Sequence, residues 1–85
     1  MAAFDFFSLR GRAYYYLARY PEAVDDLLRA NKAYEKDFVV HNTLGLSFLR
    51  LNMLAEAVNA LEASLKINPR QPDIADLLKQ MKEAK

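Results

Sequence analysis

Cysteine is absent from the chain, and with it go disulfides, thiol chemistry and thiolate metal sites. Glycine and proline are scarce, two and three residues of 85. The three prolines, Pro21, Pro69 and Pro72, fall where helices are expected to start or stop. Excess charge of either sign is missing too: the formal net charge is +1, with both signs mixed along the chain. That excludes the clustered basic face on which nucleic-acid binding depends. The arginines Arg10, Arg12, Arg19 and Arg29 lie near tyrosines but scatter over different helix faces, with Asp5, Asp25 and Asp26 among them. No apolar run approaches the roughly 18 residues of a membrane span. The opening MAAFDFFSLR carries an early acid and no cleavable apolar stretch, so it does not read as a leader. No compartment is written in these residues.

What is present is apolar and helix-forming. Hydrophobic residues make up 53% of the chain, enough for a core and too many for a disordered tail. Few breakers beside many Ala, Leu, Lys, Arg and Glu point to an all-α chain. Eighty-five residues allow one domain, which buries only about 60–65% of its unfolded surface, so its packing has to be efficient.

The stretch LGLSFLRLNMLAEAVNALEASLKINP, Leu44 to Pro69, reads as two helices broken at Asn52. Leu44, Ser47, Phe48 and Leu51 mark the buried stripe of the first; Val58, Leu61, Leu65 and the flanking alanines mark that of the second. Gly45 lets a facing backbone come close, and Ala57 does the same from the other side. Leu44-Gly45, Phe48, Ala57, Leu61, Ser64 and the closing Asn68-Pro69 together resemble a tetratricopeptide repeat. Ser64 stands for the family's later Ala, and His41 stands where a Trp is usual.

The resemblance covers about residues 4–71, with a final helix after it. Displaced by 34 residues, Gly11 falls on Gly45, Phe4 on Phe38, Leu17 on Leu51, Leu27 on Leu61 and Lys32 on Lys66. Glu22-Ala23-Val24 falls on Glu56-Ala57-Val58, and Tyr14 meets Phe48. The implied fold is an all-α, right-handed superhelix of helix–turn–helix units, a solenoid of five helices forming a single domain over 1–85. Repeat one spans about 4–37, repeat two about 38–71, and a capping helix about 72–84.

Individual helices are expected over residues 3–18, Pro21–Ala33, Phe38–Leu51, Leu54–Ile67 and Pro72–Glu83. Glu22, Asp25 and Asp26 are expected in the first turn of the second helix, favoured by its dipole. Glu35 stands where the family has its closing proline, so that helix should stop less sharply, with Tyr34 packing across the joint. Asp37 is a candidate N-cap for the third helix. Arg10 occupies the slot of Leu44, which suggests a face only partly covered. In the last helix Ile74, Leu77, Leu78 and Met81 form one stripe, while Lys79 takes the small-residue slot of Gly45. A lysine there admits no close second helix, so this helix reads as a solvating cap.

The catalytic inventory is thin. His41, the single histidine, would have to act with Ser47 or Ser64 and some Asp; no metal cluster and no glycine-rich phosphate loop accompany it. Gly11 and Gly45 are packing glycines inside helices. No catalytic residue, metal or cofactor is expected.

Binding is what the resemblance implies. In that family the first helix of each pair lines a concave groove that holds extended or helical peptides. The groove slots map onto Asp5, Ser8, Arg12, Tyr15 and Tyr16, and then onto Val39, Asn42, Leu46, Leu49 and Arg50. Asp73 and Asp76 would close the far edge. The expected function is a non-enzymatic protein–protein interaction module that takes a peptide or helix, with arginines to hold an acidic group. Tyr15 and Leu49 have a second reading as filler between units, whereas Leu46 and Leu49 lie off the stripe that packs the repeat. The family's clamp for chaperone C-terminal carboxylates maps onto Ser8, Arg12, Thr43, Asp73 and Leu77, only one of which is cationic, so that role is rejected. The alternative is self-association, or repeat-array building, through an exposed aromatic end at Phe4, Phe6 and Phe7, toward which Ala13 and Tyr20 also point. Either way the partners are proteins: a peptide, another copy, or further repeats of a longer parent chain.

Overall fold

The computed structural model describes residues 2–83. It holds five helices and, among the described residues, no strand: α1 Ala2–Tyr16, α2 Tyr20–Ala33, α3 Phe38–Arg50, α4 Leu54–Ile67 and α5 Pro72–Glu83. Residue 84, the expected last residue of the cap, lies outside the described residues. The helices form two hairpins, α1–α2 and α3–α4, with α2 packed against α3 and α5 against α4. The resulting slab measures 38 × 25 × 17 Å.

Each hairpin closes on a glycine. A Cβ placed on Gly11 would lie 2.7 Å from Cγ of Leu27, and one on Gly45 would lie 2.7 Å from Cγ of Leu61. Both leucines are fully buried. The missing methyl group is therefore what lets a leucine of the second helix sit on the backbone of the first. Ala23, Leu27, Ala30, Val40, Leu44, Phe48, Ala57 and Ala60 form the core, where four alanines keep the helices close.

Both hairpin turns use one device. Arg19 N–H donates to the Tyr14 carbonyl and Ala18 N–H to that of Tyr15; Met53 and Asn52 repeat this with Phe48 and Leu49. These bonds satisfy the orphan carbonyls of a helix end and need a left-handed residue at the corner. Ala18 (φ 60°) and Asn52 (φ 64°) supply it. This corner is why α1 stops at Tyr16 and not at residue 18.

Other ends follow local chemistry. The Asp37 carboxylate accepts from the N–H groups of Val39 and Val40, making it the N-cap of α3. The α2 terminus corrects one expectation: it stops as sharply as α4, with Tyr34 and Asn68 both extended, although no proline follows Tyr34. Tyr34 instead packs edge-on against Phe4, ring centroids 5.5 Å apart. The acids of α2 are corrected too. Only Glu22 occupies the first turn. Arg19 hydrogen-bonds its carboxylate and holds it below the usual carboxylate range. Asp25 pairs with Arg29 one turn on, and Asp26 turns inward. His41 is buried, and its Nε2 hydrogen-bonds the Glu35 carbonyl at 2.9 Å, a packed structural role.

Candidate functional site

α3 is enclosed on two sides, by α4 and by the α1–α2 hairpin. Val40, His41, Thr43, Leu44, Gly45, Ser47 and Phe48 are buried there. Beyond its first residue, what remains open on α3 is one strip: Val39, Asn42, Leu46 and Leu49 half-buried, and Arg50 exposed. The strip follows from helical geometry, since steps of three and four residues return to one face. It continues onto α1 at the places 34 residues earlier: Asp5 exposed, Ser8 buried, Arg12 and Tyr15 half-buried, Tyr16 exposed.

These ten side chains are not equally free. Ser8 is buried and offers little surface. Tyr15 packs on the core and meets Tyr16 and Tyr20 edge-on, with centroids 5.4 and 5.7 Å away. Leu49 also packs on the core, which corrects the expectation that it lies off the packing stripe. Asn42 is engaged internally: its amide donates to Gln71 Oε1 at 2.7 Å, and its carbonyl oxygen accepts from Ser64 Oγ. Gln71 donates in turn to Ser64 Oγ and to the Asn68 carbonyl. Asn42 thus ties α3 to the α4–α5 connection. The members of the strip without such contacts are Arg12, Val39, Leu46 and Arg50.

The two arginines stand apart in their electrostatics. Arg10, Arg19 and Arg29 each pair with a carboxylate of α2. Arg12 and Arg50 have no such partner among the described residues; Arg12 stands one turn before Tyr16 on α1, and Arg50 one turn after Leu46 on α3. Two unneutralised guanidinium groups beside apolar side chains form a surface suited to a carboxylate flanked by hydrophobic groups.

At the other end of the molecule the aromatic trio is split. Phe4 and Phe7 are half-buried and pack on the core, correcting the expectation that all three Phe are exposed; Phe6 is the open one, at 53%. Sequence reasoning did not find the group beside it. Arg10 grips Asp26 with two bonds, Nε to Oδ2 at 2.6 Å and Nη2 to Oδ1 at 3.0 Å. Asp26 is 2% exposed and the Arg10 side chain 43%. The bond to Asp26 raises the guanidinium pKa further. Arg10 also lies over the Phe6 ring, 4.7 Å from its centroid. The signal was available: under the 34-residue displacement, Arg10 and Asp26 fall together on Leu44 and Ala60.

No helix among the described residues is long and apolar enough to cross a membrane. None of their His, Asp and Glu side chains group in threes to hold a metal ion. Residues 39–71 match a family model described as the tetratricopeptide repeat. Comparison with curated proteins found no match. Members of the matched family are non-catalytic repeats that generally mediate protein–protein interaction.

Proposed function

We propose that this chain, a tetratricopeptide-repeat-like protein, captures a short peptide or helix of a partner on the strip shared by α1 and α3, and catalyses nothing. The observation that carries the reading is the pair Arg12 and Arg50, without a carboxylate partner among the described residues and with half-buried Leu46 one turn from Arg50, while three other arginines are neutralised. We take the strip as the concave side of the stacked hairpins. A ligand with one or two apolar side chains and a nearby Asp, Glu or terminal carboxylate matches it best. Apolar contact supplies affinity, and the guanidinium forks fix orientation. Asp73 and Asp76, both exposed on α5, disfavour acidic residues at the far end and so set the direction in which the peptide lies. α5 caps the stack, its exposed Lys79 occupying the place of Gly45.

Selection from a random displayed-peptide library tests this directly. Selected peptides should combine apolar and acidic residues. Their affinity should fall at least about tenfold, roughly 1.4 kcal/mol, in Arg12→Glu, Arg50→Glu and Leu46→Asp. The far-ultraviolet circular dichroism of each variant should match the parent. Selected peptides that bind all three folded variants undiminished would sink the reading.

A further inference from the structure

The outward face of α1 is apolar and bare. On α3 the corresponding residues Val40, Thr43 and Ser47 are buried at 1%, 8% and 0% exposure. Thirty-four places earlier stand Phe6, Leu9 and Ala13, and all three are exposed, Leu9 at 64%. Ala2 and Tyr16 extend the stripe in both directions, with Leu17 beside it at 68%. Residues 2, 6, 9, 13 and 16 recur at alternating steps of four and three, the spacing of a seam that a partner helix fills. The stripe lies opposite Gly11, so α2 cannot reach it.

The chemistry beside the stripe argues against one occupant. On the second hairpin, Leu28 and Asn31 of α2 line a hollow together with Leu44, Phe48 and Ala60. The matching hollow on the first hairpin is lined by Arg10, Tyr14, Glu22, Asp25 and Asp26. A helix like α2 would bring a leucine onto an ion pair and strip water from its guanidinium, at a cost the contact does not offset. A preceding unit of the same kind is therefore a poor cover for this face.

The stripe itself argues for another occupant. Its side chains run small, large, large, small, large: Ala2, Phe6, Leu9, Ala13, Tyr16. Reversed about Leu9, Ala2 meets Tyr16, Phe6 meets Ala13, and Leu9 meets itself. Each outer pair joins one large and one small residue, which is the self-complementarity a two-fold contact requires. We propose that two copies of this chain associate through α1, packed antiparallel about a two-fold axis at Leu9. The exposed parts of Phe6, Leu9, Tyr16 and Leu17 would bury roughly 1,000 Å² in total, the low end for a specific interface. The dimer is accordingly weak and depends on concentration.

Sedimentation equilibrium over a wide concentration range reads this out. The mass should rise from 9.8 kDa to twice that value and stop there. Leu9→Glu should remain monomeric at every concentration, with unchanged circular dichroism, because Leu9 contributes little to the fold. The absence of native cysteine allows a second test. In Leu9→Cys the single thiol sits on the proposed axis, and mild oxidation should cross-link it at least tenfold faster than the thiol of Lys79→Cys, on exposed α5. A parent chain that stays monomeric at millimolar concentration overturns the proposal. So does a mass that climbs past the dimer, which means open head-to-tail stacking, or equal cross-linking of the two thiols. Peptide capture by the strip is read from different variants and survives any of these outcomes.

Discussion

Leu44 and Ala60 line one hollow of the α3–α4 hairpin; at the same two places the α1–α2 hairpin carries Arg10 and Asp26. The backbones hardly register the exchange. Both hairpins turn on a left-handed corner, and both seat a buried leucine on a helical glycine. What differs is the company each hairpin keeps. The second is covered by α2 and can bury α3 on two sides. Among the described residues no helix lies on the outer side of the first, which holds its second helix partly by a half-exposed ion pair. The lesson is that the hairpin needs its close helix crossing, while the neighbouring positions are free to follow whatever lies over them.

The glycines provide the largest effect with which to test that equivalence. Gly45→Leu should cost about 3 kcal/mol or more, since a branched side chain would have to displace fully buried Leu61. Gly11→Leu should cost less. Its near neighbours are side chains, Leu27 and Asp26, whereas at Gly45 the Ala57 carbonyl also approaches, at 3.4 Å. Thermal denaturation of the two variants decides it. A Gly45→Leu protein as stable as the parent would break the claim that both hairpins close on the same contact.

The ion pair comes next. Arg10→Leu alone should lower the melting temperature, because it leaves the Asp26 carboxylate buried without its cation. Asp26→Ala alone should be milder, since the half-exposed guanidinium can rehydrate. The double variant rebuilds the Leu44–Ala60 arrangement and should melt at least as high as the parent. Strictly additive losses in this cycle would show that Arg10 and Asp26 do not act as a unit. The same variant should keep its circular dichroism and become stickier, as its outer face turns more apolar.

The corners should give the smallest difference. Ala18 bears a Cβ at φ 60°, where alanine is disfavoured by about 1–2 kcal/mol. Asparagine tolerates the same region better. Ala18→Gly should therefore stabilise the protein by about 1 kcal/mol, and Asn52→Gly should change it by no more than about 0.5 kcal/mol. Urea titrations resolve the two. Equal responses would mean that Ala18 carries no special cost.

Much of this architecture was legible in the chain. Leu54–Ile67 and Pro72–Glu83 are bounded as read, because Asn68-Pro69 and Pro72 are strong local punctuation. α1 is two residues shorter at its end than its periodicity suggests, because its stop is a backbone conformation at an alanine, a residue that gives no turn signal. The candidate strip was legible as a register on two helices. The engagement of Asn42 with Ser64 and Gln71 was not, because those partners lie 22 and 29 residues away and the loop before α5 has to bring Gln71 back. Arg10 was legible as a departure, but its partner was not: Asp26 reads locally as one more first-turn acid.

Taken alone, the sequence determined the number of helices, their hairpin pairing and a close helix crossing at each glycine, because each rests on side-chain size and on a period carried by the chain itself. Only the tertiary structure decided which surfaces stay open. Whether a side chain is buried depends on what the neighbouring helix lays over it. That is why Thr43 is covered while Leu9, at the matching place, faces water.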